Sequence, residues 1–193
     1  MARERTKVDT EQQPRSRRRL NWGCGEWAQP GWINSDIKEN EGVDIVADIR
    51  DGLPIDSDSI EYAVSIHSLP ELPFTELVPA LEELRRVLKP GGVLRLALPD
   101  LDKGIDAYLR KDSSYFKVPD KDAKSVGAKF ATQMIWYGYS RSLFTHEFAH
   151  ELLEKAGFSH VHHCSFRHTA SPYPEIVNLD NREQESLFLE AVK

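Results

Sequence analysis

The stretch Leu20-Asn21-Trp22-Gly23-Cys24-Gly25 decides the fold of this chain. Leu20–Trp22 reads as a short strand running into Gly-x-Gly, a turn in which backbone amides can approach a ligand with no Cβ in the way. A dinucleotide fingerprint would place a third glycine three positions on, and Ala28 stands there instead. Alone, such a turn is a weak signal. Two acids downstream sharpen it: Gly31–Asp36 reads as a second strand ending in an acid, and Asp44–Ala47 as a third ending at Asp48. A carboxylate after the second strand can accept hydrogen bonds from both vicinal hydroxyls of a ribose.

Further along, Ile60–Ile66 reads as a fourth strand ending at His67, and Phe74–Leu88 repeats apolar residues at helical intervals. Lys89-Pro90-Gly91-Gly92 stops that helix, and Val93–Leu98 forms a fifth strand closed by Pro99-Asp100. The segment 101–143 reads as mostly helical and carries the aromatic cluster Trp136, Tyr137 and Tyr139. Thr145 caps a helix that runs to Lys155 and ends at Gly157, and Ser159–Phe166 and Ser186–Val192 are the last strands. Strands alternating with helices predict an α/β fold around a largely parallel sheet.

The composition is that of an ordinary globular protein: 193 residues, 40% hydrophobic, 29% charged, formal net charge −6. Apolar runs are broken by charge or proline well short of the roughly 20 residues of a membrane helix, and no secretory h-region opens the chain, so a cytoplasmic location is expected. Two cysteines, Cys24 and Cys164, make no disulfide framework. Residues 1–18 read as a basic disordered tail containing most of the run Arg15–Arg19, and 19–193 as a single domain with 101–143 as a helical insertion on the acceptor side. The acidic body argues against nucleic acid as the main partner.

These pieces together resemble the class I S-adenosylmethionine-dependent methyltransferases. Leu20–Gly25 is similar to the family's first motif, Asp36 to its ribose acid, and Asp48-Ile49 with Leu53-Pro54 and Asp58–Glu61 to its adenine stretch. Leu84–Gly92 is similar to the helix and turn before the fifth strand, and the segment from Thr145 to Val192 to its closing helix and antiparallel pair. The resemblance implies a Rossmann-like, doubly wound, mainly parallel seven-stranded sheet with an antiparallel C-terminal strand. It also implies methyl transfer from S-adenosyl-L-methionine to an O or N nucleophile of a small-molecule acceptor. Asn21, Trp22, Gly23, Cys24, Gly25, Asp36, Ile37, Asp48, Ile49 and Ile66 would then hold the cofactor. Three departures stand out. Asp36 comes eleven positions after Gly25, so the turn at Gln29-Pro30-Gly31 replaces or shortens the first helix; no helical cap precedes the first strand; and Leu69-Pro70-Glu71 stands where the family often has Leu-Glu-His.

His67 is the candidate catalytic base, because the carboxyl ends of parallel strands line the ligand crevice and histidine suits proton transfer near neutrality. Asp100 and His146 are weaker candidates. Cys24 reads as a packing residue, since no cation stands near it in sequence to lower its pKa. Two rival readings belong to other classes. A non-catalytic cofactor-binding module would keep the glycines and Asp36. His146-Glu147-Phe148-Ala149-His150 spells the H-E-x-x-H of zinc metallopeptidases, yet Gly157 and His160 come too late for the extended motif, and the same helix serves a methyltransferase as packing; no metal is expected.

Overall fold

The structure, a computed structural model, describes residues 18–193. The basic tail expected over 1–18 therefore falls, Arg18 apart, outside the described residues. Seven strands form one sheet: β1 (Arg19–Trp22), β2 (Ile33–Asp36), β3 (Ile45–Val46), β4 (Ile60–Ile66), β5 (Leu88–Pro99), β6 (Ser159–Cys164) and β7 (Ser186–Val192). Their order is β3-β2-β1-β4-β5-β7-β6. The first five run parallel, and β7 lies antiparallel between β5 and β6, as expected from the sequence. Four helices accompany them: α1 (Phe74–Val87), α2 (Leu101–Leu109), α3 (Val126–Met134) and α4 (His146–Lys155). Among the described residues no helix is long and apolar enough to cross a membrane.

Strand alternation splits the sheet into two faces of different chemistry. Leu20 on β1, Leu94, Leu96 and Leu98 on β5, and Leu187 and Leu189 on β7 point to one face, where α1 and α4 cover them with Leu77, Leu81, Leu84, Leu152 and Leu153. Thr145 caps α4 through its hydroxyl, which accepts from Phe148 N at 3.2 Å. The opposite face carries a row that the pairing register aligns across the sheet and that is polar except for Val64: Asn34, Asn21, Val64, Arg95 and Glu190. No helix joins β1 to β2. The connection is ten residues, Gly23 to Trp32, where a parallel crossover usually needs a dozen or more. The turn at Gln29–Gly31 does replace the first helix, and Asn34 braces it, accepting from Gln29 N at 2.8 Å while donating to Gln29 O at 3.0 Å.

Segment 165–180, between β6 and β7, covers the second face instead. Ile176 and Tyr173 pack on Trp32, Tyr62, Val64 and Val93, and Arg95 binds the segment down. Fully buried, this guanidinium uses all five of its N–H donors: Nε and Nη2 on Asp180 at 2.7 and 2.5 Å, Nη1 on Glu190 at 2.7 Å and His168 O at 3.1 Å, and Nη2 also on Ser165 O at 3.2 Å. The two carboxylates reach back to the segment's own backbone, Asp180 accepting from Arg167 N and Glu190 from Ala170 N.

Two segments differ from the sequence reading. Lys89–Gly92 does not stand before β5 but lies inside it: Leu88 pairs with Ile60, Tyr62 next pairs with Val93, and the four residues between bulge out against the end of β7. The segment 101–143 is two nine-residue helices, α2 and α3, joined by a largely irregular stretch, because Pro119 and the Asp112-capped turn at Ser113–Tyr115 interrupt the helical pattern.

Removing the Arg95 guanidinium would strand two buried carboxylates, a loss of about 3–5 kcal/mol for a buried ion pair. Arg95→Met should lower urea stability by that amount, and adding Asp180→Asn and Glu190→Gln should recover part of it. A single-variant loss under about 1 kcal/mol would show that the segment is held by other contacts.

Candidate functional site

The carboxyl ends of β1, β2, β4 and β5 open into one cleft of about 530 Å³, within the range of small-ligand sites. Its floor is the glycine turn. Gly23 (φ +69°) donates from N to Ser35 O at 2.7 Å, and Ser68 Oγ donates to Gly23 O at 2.8 Å, so close that a Cβ on Gly23 would stand 2.0 Å from that hydroxyl oxygen. Gly25 (φ +53°) differs: a Cβ there would meet no atom within 4 Å, and its N–H donates to Asp36 Oδ2 at 2.8 Å. Asp36 Oδ1 accepts from Lys38 N at 2.9 Å. Each carboxylate oxygen thus keeps a lone pair for a guest.

The sequence-predicted residues Trp22, Gly23, Cys24 and Gly25 all line this cleft, as do Asp36 and Ile37. Asp48 and Ile49 approach from the β3 side, and Ile66 and His67 from the end of β4. Asn21 is not brought to it. Its side chain points to the other face, where Nδ2 donates to Trp27 O and Asn34 Oδ1 at 3.1 Å each and props the turn from behind. Asp48 caps the turn Ile49–Asp51 and binds the Arg50 side chain, which holds its carboxyl below the usual carboxylate range. Burial first, then the Asp36 charge, pushes the Cys24 thiol up to about 11, so it stays protonated and unreactive near neutral pH.

A sequence model of the methyltransferase domain matches residues 29–96. Among solved structures the chain is similar to an S-adenosylmethionine-dependent methyltransferase from Thermotoga maritima, with TM-score 0.57 and 21% identity over 94% of this chain and 84% of that one. It is similar also to such enzymes from Archaeoglobus fulgidus (0.59, 15%, 92% and 86%) and Mesorhizobium loti (0.54, 16%, 94% and 94%). The fold is that of the class I S-adenosylmethionine-dependent methyltransferases. No curated protein matches the sequence.

The methyltransferase fold places His67 at the head of the cleft in a left-handed conformation (φ +56°), its Nε2 2.7 Å from Ser186 Oγ. Burial, aided by the Arg182 charge, pushes its pKa down to about 3, so the ring is neutral at pH 7. Trp136 and Tyr139 line the far wall, whereas Tyr137 turns away and donates its hydroxyl to Asp122 at 2.8 Å. His146 and His150 lie outside the cleft on α4, beside His163, and Ala149, Leu152 and Leu153 turn that helix to the core. Among the described residues no three His, Cys, Asp or Glu side chains are arranged to hold a metal ion.

Among the cleft residues that escape the sequence reading are Tyr115, Gln133, Arg182 and Glu185. They come from short 3-10 turns and the end of α3, segments without periodicity, and only their meeting in space marks them.

The depressed His67 pKa fixes a sign. Between about pH 3 and 6.5 the unfolded chain binds a proton at His67 that the folded chain does not, so stability falls on acidification through that window and is unaffected above it. His67→Asn should flatten the loss of urea stability below pH 6.5, by up to about 1.4 kcal/mol per pH unit. Parallel wild-type and variant curves would refute the assignment.

Proposed function

We propose that the protein transfers the methyl group of S-adenosylmethionine to a small-molecule acceptor bound in the same cleft. The observation that carries this reading is the glycine turn beside Asp36 at the carboxyl ends of β1 and β2, in a sheet of order 3-2-1-4-5-7-6. The residues fit the cofactor. Gly25 leaves open space where a side chain would stand, the free lone pairs of Asp36 suit ribose hydroxyls, and Asp48 and Ile49 form the adenine side of the cleft.

When bound, the cofactor supplies an electrophilic methyl group on a sulfonium, which makes positioning the chief task of the protein. The turn and Asp36 fix one partner, and the wall from Tyr115 to Tyr139 confines the other. His67, with a pKa of about 3, is too weak a base to hold a proton near neutrality, and its part is to fix the neck of the cleft through Ser186.

Calorimetric titration with S-adenosylhomocysteine and with NAD tests the reading: the former should bind and the latter should not, and the reverse order would overturn it. Charge-assisted hydrogen bonds lost on truncation cost roughly 1.5–3 kcal/mol, so Asp36→Ala should weaken S-adenosylhomocysteine binding about 10- to 150-fold with the fold intact. Glu39→Ala, a control for general charge, should leave it unchanged; equal effects of the two would remove Asp36 from the ribose role. The rate of any transferase activity should show no inflection near pH 6.5 that disappears in His67→Asn.

A further inference from the structure

The end of the cleft away from the glycine turn holds hydrogen-bonding groups that the protein itself leaves unused. Tyr115, 7% exposed, packs edge-on against Phe116, and its buried hydroxyl has no partner among the described residues. A hydroxyl left so costs stability unless a guest satisfies it. Gln133 accepts through Oε1 from Lys117 N at 2.6 Å, while its NH₂ meets no protein acceptor among the described residues. Glu185, 8% exposed, takes Arg182 Nη1 on one oxygen at 3.3 Å and leaves the other free. All three side chains line the one cleft, brought there by three separate elements.

Two pairs of charges at this end are already matched. Arg182 faces Glu185, and the nearby Asp100 caps α2 by accepting from Lys103 N at 3.1 Å, with Lys103 Nζ 3.6 Å away. What is offered is therefore a donor (Gln133), an acceptor (Glu185) and a group that does both (Tyr115). A carboxylate or phosphate could only accept, and an ammonium could only donate. A hydroxyl does both. The aromatic rings of Trp136 and Tyr139, 36% and 63% exposed, flank the approach and suit an apolar or ring face on the same guest.

We propose that this end of the cleft recognises an uncharged, hydroxyl-bearing acceptor, and that Tyr115 sets this specificity. Calling the guest an acceptor rests on the methyl-transfer reading, whereas the preference for a hydroxyl rests on the side chains alone.

A matched trio of probes separates the chemistries: benzyl alcohol, benzylamine and benzoate share a ring and differ in the polar group. Ligand-observed NMR titrations on the full chain should find benzyl alcohol bound at least about 3-fold more tightly than either charged probe. Tyr115→Phe should weaken the alcohol about 2- to 10-fold, the worth of one hydrogen bond, and leave the charged probes unchanged. Its melting temperature should not fall, because the variant deletes a buried hydroxyl that has no partner; a purely structural tyrosine would show a loss. Glu185→Gln should narrow the preference for the alcohol over benzoate. Tightest binding of benzoate or benzylamine, or an alcohol affinity unmoved in both variants, overturns the proposal. Titration of the same samples with S-adenosylhomocysteine keeps the two readings apart. Failure to bind it while the alcohol preference holds removes methyl transfer alone, and its binding without that preference removes the proposed specificity alone.

Discussion

Ten residues between β1 and β2 are the constraint on which the rest of the structure depends. A crossover that short has no room for the helix that would otherwise cover one face of a parallel sheet, and bare strands there would leave Trp32, Tyr62 and Val64 in water. The missing layer is supplied from the other end of the chain. Segment 165–180 lies across the face, where Tyr173, Ile176, Val177 and Leu179 pack on the strands, and an ionic attachment adds to that packing: one arginine with every donor used, two carboxylates, and backbone groups on both sides.

That arrangement also shapes the site. Once Asp180 is fixed on Arg95, the chain leaves through Arg182 and Glu185 before entering β7, and these two residues form one side of the cleft's far end. The opposite side comes from the turn at Tyr115 and from α3. The residues proposed to hold the cofactor sit on strand ends and those proposed to face the acceptor on α3 and irregular turns, a division that would suit a reaction whose donor is constant and whose acceptor differs from enzyme to enzyme.

The same division explains how much could be read from sequence. Strand ends are marked by an apolar run meeting glycine or an acid, so Gly23, Gly25, Asp36, Asp48 and His67 were legible, together with the strands and helices around them. Asn21 carries the same mark, yet strand alternation turns it to the opposite face, which a motif without a register cannot tell. Lys89–Gly92 reads as a helix stop, and α1 does end just before it, but the stretch lies inside β5 as a bulge, because the chain just past β7 pairs with it from far along the sequence. Tyr115 and Glu185 had no local signature at all. Their meeting depends on Arg95 holding a segment 70 to 85 residues away.

The hydrogen bond from Gly25 to Asp36 has a kinetic consequence. A glycine-rich loop that orders only when its guest arrives must find its bound shape during the encounter, which slows association and subtracts the ordering entropy from affinity. Here the loop is latched by the side chain that would receive the ribose, so that entropy was lost when the chain folded. Arrival of the guest asks only for new bonds on the remaining lone pairs, with the latch left in place, and the speed of encounter becomes a matter of diffusion into an open cleft.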